Sequence, residues 1–240
     1  MKRIALFLSL SLLLGGTGWS ADDAGTAAQQ QVWGQYLSQE ERQALTRMIP
    51  SKISRDNDSE ENDEAEGIAR SRAAFSTMAV DYASSLAELP SVPFQRGSVN
   101  GSWIIPEDAH SSRVLLYLHG GAYVIGSDVT PRAITAFLAR ESKIRCFSLD
   151  YPLAPENPYP AALDNAFQAY RMLLQEGTKP NDVVLAGDSA GGGLALALLL
   201  GIRENALPMP AGAYLISPWA DLTQSSAAHT AKSAVEINIT

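Results

Sequence analysis

Between Val183 and Gly193 an apolar run, Val183-Val184-Leu185-Ala186, gives way without a linker to Gly187-Asp188-Ser189-Ala190-Gly191, and a helix-forming stretch follows at once. Few folds accommodate this order. A strand that turns into a helix over one serine, flanked on both sides by glycine, holds that serine at the crest of a sharp turn. Gly187 and Gly191 must lack side chains there, because a Cβ would run into neighbouring backbone. The helix behind the turn directs free N–H groups and the positive end of its dipole toward the serine hydroxyl. A plain glycine-rich turn is the alternative, and the strand before it and helix after it argue against that reading.

The chain around this turn alternates in the same sense. Val99–Ile105, Val114–Leu118, Ile144–Leu149, Val183–Ala186 and Ala213–Ile216 read as short apolar strands. Helical patterns fill Pro131–Glu141, Leu163–Gln175 and Gly192–Arg203, with Pro131 suited to a first helical turn. Short apolar strands separated by helices predict an α/β fold whose mostly parallel sheet is flanked by helices on both faces. Leu194–Leu200 is strongly apolar but too short for a membrane span, and a buried central helix accounts for it. Asp164 and Asp182 sit near a helix start and a strand start, where structural roles suffice.

A second glycine-rich segment, His119-Gly120-Gly121-Ala122-Tyr123, follows the strand Val114–Leu118 directly. Acyl transfer needs donors aimed at a developing negative oxygen, and glycines let backbone N–H groups come close to it. The N–H groups of Gly121 and Ala122, with Gly120 in the same loop, are candidate donors, joined by Ala190 behind Ser189. His119 is read as orienting this loop through its side chain and not as a general base; Asp188 is a further supporting residue.

Four segments together, His119-Gly120-Gly121-Ala122, Asp150-Tyr151-Pro152-Leu153-Ala154-Pro155-Glu156, Gly187-Asp188-Ser189-Ala190-Gly191-Gly192 and Ser217-Pro218-Trp219-Ala220-Asp221-Leu222-Thr223, resemble the hormone-sensitive-lipase-like carboxylesterases in both content and order. The resemblance covers about Val99 to Thr223. It implies an α/β-hydrolase fold, Ser189 as nucleophile, the Gly120–Ala122 loop as oxyanion hole, an N-terminal helical cap over the pocket, and short acyl esters or lactones as substrates, with no cofactor. Two positions depart from the family pattern. Ala122 replaces a third glycine but keeps its N–H. Pro152 stands where arginine is frequent, which is expected to remove a salt bridge beside Asp150.

The family's triad acid and histidine follow further strands, whereas 51 residues follow Ser189 here. The expectation is that the last strands and the usual acid–histidine pair are missing from the core, 94–240. The local substitutes are Asp221, after the strand Ala213–Ile216, and His229, the one histidine beyond the serine. Without a base Ser189 is an ordinary alcohol, so the alternative is a non-catalytic hydrolase-fold protein that binds an acyl ligand.

Ahead of the core, Lys2 and Arg3 precede the mainly apolar run Ile4–Leu14, with small residues at Gly18 and Ser20. This describes a secretory signal peptide over residues 1–20 and a secreted or periplasmic protein. The run is short of the ~20 residues a membrane span requires, so no stable anchor is expected after cleavage. Residues 21–93 read as the helical cap region. It comprises an amphipathic stretch from Gln29 to Met48 interrupted by Pro50, and a second helix from Ile68 to about Leu89 stopped by Pro90 and Pro93. Seven acids between Asp56 and Glu66 read as a solvated connector; a tail for a basic partner is the alternative. The formal charge of −8 argues against nucleic-acid binding. Three histidines (His110, His119, His229) and the single Cys146 supply no Cys/His zinc cluster and no intramolecular disulfide. Oligomeric state has no signature in the sequence.

Overall fold

The computed structural model describes residues 62–86, 89–109 and 112–223. The leader-like segment, the helical stretch at 29–48, the first part of the acidic connector and His229 lie outside them. Gly67–Leu222 forms one compact unit, and all six strands and Ser189 fall within it.

Six strands are ordered β1-β2-β4-β3-β5-β6 across one sheet: β1 Ser91–Arg96, β2 Val99–Ile104, β3 Val114–Leu118, β4 Arg145–Leu149, β5 Val183–Asp188 and β6 Gly212–Ile216. The last four run parallel to one another, while β1 and β2 form an antiparallel hairpin and β2 joins the rest antiparallel through β4. The helices are α1 Asn62–Leu86, α2 Arg132–Ser142, α3 Ala161–Gln175 and α4 Ser189–Glu204. A mostly parallel sheet with flanking helices is the α/β-hydrolase arrangement the sequence predicts.

The parallel strands are short and apolar because both of their faces are covered. All five residues of β3 are buried. On one face Val114, Leu116 and Leu118 of β3 join Phe147 and Leu149 of β4 and Val183 and Leu185 of β5. They pack under Ala166, Ala169, Tyr170 and Leu173 of α3 and Leu194, Ala195, Leu198 and Ile202 of α4, where the helical periodicity brings one apolar side inward. Helix α2 packs on β4 and β2 through its own buried side, Ala133, Ile134, Ala136 and Ala139. Of the run Leu194–Leu200, expected to be a buried helix, only Leu194, Ala195 and Leu198 are buried and Leu200 is 50% exposed, because one side of α4 faces away from the sheet. Both edge strands are sparsely covered: neither β1 nor β6 has a buried residue, and Tyr214 of β6 is 54% exposed.

Three boundaries differ from the sequence expectation. The second helix begins at Asn62 and ends at Leu86, so the last acids of the connector, Asp63, Glu64 and Glu66, are helical. Pro93 does not end the cap region; it lies inside β1. Among the described residues β1 is an edge strand, hydrogen-bonded to β2 alone, and an edge position tolerates a residue with no N–H to donate. Helix α4 starts at Ser189 and not at Gly192, its third to fifth residues being consecutive glycines despite their poor helix propensity. A Cβ at Gly191, Gly192 or Gly193 would meet backbone of Leu118, Pro218 or Trp219 respectively, within 3 Å.

Candidate active site

The parallel register aligns the carboxyl ends of four strands. Leu118 is paired with both Leu149 and Gly187, and Asp188 with Ile216. The segments that follow, His119–Tyr123, Asp150–Glu156, Ser189 and Ser217–Asp221, therefore emerge along one edge of the sheet. Ligand sites in open α/β sheets form at this edge. All four motifs singled out in the sequence meet here.

Ser189 is half-buried and sits at φ 51° in the left-handed region, a strained conformation for a residue with a side chain. Its neighbours hold it there. A Cβ on Gly187 would lie 2.5 Å from the Gly191 carbonyl oxygen, and one on Gly191 would lie 2.1 Å from that of Leu118. Glycine is thus required on both sides of the serine, as the turn predicts. The Trp219 N–H donates to the Ser189 carbonyl at 2.8 Å, tying the segment after β6 to this turn.

The loop after β3 is held by a buried network. Asp188 Oδ1 accepts from the Gly120 N–H at 2.9 Å and from the Tyr117 hydroxyl at 2.8 Å. The Gly120 N–H is therefore engaged in fixing the loop, which corrects its assignment as a donor to the oxyanion. Gly121, at φ 119°, accepts at its carbonyl from the N–H groups of Val124 and Ile125, both at 2.9 Å. Ala122 and Tyr123 follow at φ 52° and 63°. Left-handed backbone at two successive non-glycine residues persists only where the surroundings impose it.

His119 is buried and stacks on Tyr151 at 4.1 Å between ring centroids, 8° from parallel. Its Nδ1 bonds the Gly120 carbonyl at 2.7 Å, its Nε2 has no hydrogen-bond partner, and its own carbonyl accepts from the Tyr151 hydroxyl at 2.6 Å. Neither ring nitrogen engages Ser189, so His119 serves the loop, as the sequence suggests. Burial lowers its pKa to about 4. The unfolded chain binds a proton at His119 across the window from pH 6.5 to about 4 and the folded chain does not. The resulting stability is complete above 6.5 and is lost as pH falls toward 4. Relative to His119→Gln, the unsubstituted protein is expected to lose about 3 kcal/mol over that window. Urea unfolding at a series of pH values measures this, and parallel curves for the two proteins would contradict it.

Burial raises the Asp188 carboxyl above the ordinary range, against the lowering effect of the Tyr117 hydroxyl and Gly120 N–H. Asp150 is also raised, first by burial and then by the charge of Asp128. Asp221 is exposed beyond β6, and its backbone carbonyl accepts from Trp219 Nε1 at 3.1 Å. The other member of the proposed pair, His229, lies outside the described residues. Tyr123 and Trp219, which belong to two of these motifs, bring their rings to 6.4 Å from each other, a contact that motif spacing does not announce.

Comparison with known proteins agrees with this geometry. A family model described as alpha/beta hydrolase fold matches residues 115–239. An acetyl-hydrolase from Streptomyces hygroscopicus is 45% identical over 141 residues, covering 59% of this chain and 47% of that protein. An esterase from Acinetobacter venetianus is 42% identical over 134 residues, covering 56% of this chain and 44% of the relative. The crystal structure of an esterase from the bacterial hormone-sensitive lipase family superposes with a TM-score of 0.65 at 36% identity, covering 72% of this chain and 58% of the other. The chain spans about half the length of the curated relatives it matches. With its mostly parallel sheet, its four motifs at one sheet edge and the family model that matches it, the chain belongs to the α/β-hydrolase family, and it is similar there to bacterial acetyl-hydrolases and esterases of the hormone-sensitive lipase group.

Proposed function

We propose that the chain carries the nucleophile and oxyanion hole of a serine esterase for short acyl esters or lactones. The observation behind this reading is the strained Ser189, with φ 51°, at the start of α4 and beside a loop that Asp188 holds at Gly120. The Ser189 hydroxyl attacks the ester carbonyl, and the N–H groups of Ala190, Gly121 and Ala122 stabilise the oxygen that becomes negative. The alcohol leaves, and water then hydrolyses the acyl-serine ester to release the acid. Each N–H lost from such a site typically costs ~3 kcal/mol of transition-state stabilisation. Asp221 and His229 are the proposed acid and base. The leader-like residues 1–20 support export to the periplasm or beyond.

A second reading, an acyl-ligand binder without turnover, is favoured by one observation. Among the described residues the one histidine, His119, bonds its own loop and leaves Ser189 without a base. Assay of the purified chain and Ser189→Ala on p-nitrophenyl acetate separates the two. Turnover that disappears with Ser189 supports the esterase; equal, buffer-level rates sink it. Where turnover depends on Ser189, unchanged activity in His229→Ala removes that residue as base.

A further inference from the structure

We propose that Arg72 of α1 is a positioning residue for the oxyanion loop, so that the N-terminal helix takes part in the reaction by holding Tyr123–Val124 in place. The proposal rests on the esterase reading above. Arg72 stands on the inward side of α1, in register with Phe75 and Ala79, three and seven residues on, both buried. Its guanidinium joins three segments far apart in sequence. Nε donates to the Val124 carbonyl at 2.8 Å, and one terminal nitrogen donates to the Ala154 carbonyl at 2.8 Å. Both terminal nitrogens meet the Glu156 carboxylate, at 2.7 and 2.8 Å. The Ala154 N–H in turn donates to the Tyr123 carbonyl at 2.8 Å. The carbonyls of the two residues that follow Ala122 are thus fastened, that of Val124 by Arg72 directly and that of Tyr123 through the segment that Arg72 also holds.

This fastening acts where the backbone needs it. Ala122 and Tyr123 occupy the left-handed region at φ 52° and 63°, and a chain free to relax would leave it. Relaxation there would swing the Ala122 N–H, one of the proposed oxyanion donors, away from Ser189. The planar five-donor fork of arginine suits a junction of two carbonyls and one carboxylate; lysine offers a single nitrogen. The Arg72 side chain is 28% exposed and that of Glu156 is 57% exposed, and an ion pair this open adds little to global stability. Its contribution is local order.

The test uses the full chain with Arg72→Ala, Arg72→Lys and Glu156→Gln. Hydrogen exchange at Val124 and Ile125, whose N–H groups bond the Gly121 carbonyl, reads loop order without any need for turnover. Arg72→Ala is expected to speed exchange there about tenfold, with β5 unaffected and the melting temperature nearly unchanged. On p-nitrophenyl acetate its kcat is expected to fall about tenfold or more while KM stays within about twofold, since ground-state binding does not depend on the donors' aim. Arg72→Lys should fall between. Glu156→Gln should be the mildest, because both carbonyl contacts of Arg72 survive, and millimolar guanidinium should restore part of the rate to Arg72→Ala. Wild-type exchange at Val124 and Ile125 in Arg72→Ala overturns the proposal, and so does a loss of protection spread evenly over the sheet. Should the unsubstituted chain and Ser189→Ala prove equally inactive, the esterase reading fails, and the exchange result still decides whether Arg72 holds the loop.

Discussion

Gly191→Ala is expected to lower the melting temperature by about 6–12 °C, the equivalent of about 3 kcal/mol or more for a chain of this size. The added Cβ would lie 2.1 Å from the Leu118 carbonyl oxygen and 2.4 Å from that of His119. Both obstacles are backbone, at the end of β3, and neither can rotate aside as a side chain would. Either the first turn of α4 withdraws from β3 or the loop after β3 is pushed away, and each movement separates Ser189 from Gly121 and Ala122. Thermal melting measures the first consequence. Gly67→Ala supplies the contrast: a Cβ there meets nothing within 4 Å inside α1, and alanine is expected to add about 0.5–1 kcal/mol. A Gly191→Ala melting point within about 2 °C of the unsubstituted protein would mean that the contact with β3 is looser than its geometry implies.

The same contact shows what could be read from the residues alone. Elements from Val114 onward are legible because buried parallel strands leave uninterrupted apolar runs and the intervening helices show one apolar side. Glycines at 187 and 191 are legible because the turn they flank has few other solutions. The hairpin of β1 and β2 was obscured by Pro93, which reads as a terminator, although the two-residue Gly97-Ser98 connection is a recognised hairpin signal. Gly97 at φ 60° uses it as expected. The role of Gly120 was hidden for another reason. Its N–H is engaged by a side chain 68 positions away, and no local pattern announces such a partner. Arg72 is the extreme case. Its helix carries no motif, and its partners lie 52 to 84 positions downstream. Chemistry set by spacing within a turn is visible in one dimension; chemistry set by where strands end requires the sheet.

Asp188 lets that distinction be tested, because its two substitutions separate hydrogen bonding from charge. Asp188→Ala leaves the Tyr117 hydroxyl and the Gly120 N–H buried without their acceptor, and two such groups are expected to cost about 3 kcal/mol net of the relief of burying no carboxylate. Asp188→Asn is expected to stay within about 1 kcal/mol of the unsubstituted protein, since both donors converge on Oδ1, a position an amide oxygen fills. The two proteins should also diverge with pH. The folded carboxyl titrates above its unfolded value of 3.8, so the folded state holds the proton more tightly. Raising the pH through that interval costs the native protein stability, and lowering it restores stability. Asp188→Asn lacks this dependence, so the stability difference between the two proteins should move in favour of the native residue as the solution is acidified from neutrality. Denaturant unfolding of the three proteins at neutral and mildly acidic pH reads both effects. If alanine and asparagine prove equally costly, Asp188 holds the Gly120 loop through its charge; if only alanine is costly, the loop that faces Ser189 depends on one correctly placed acceptor oxygen.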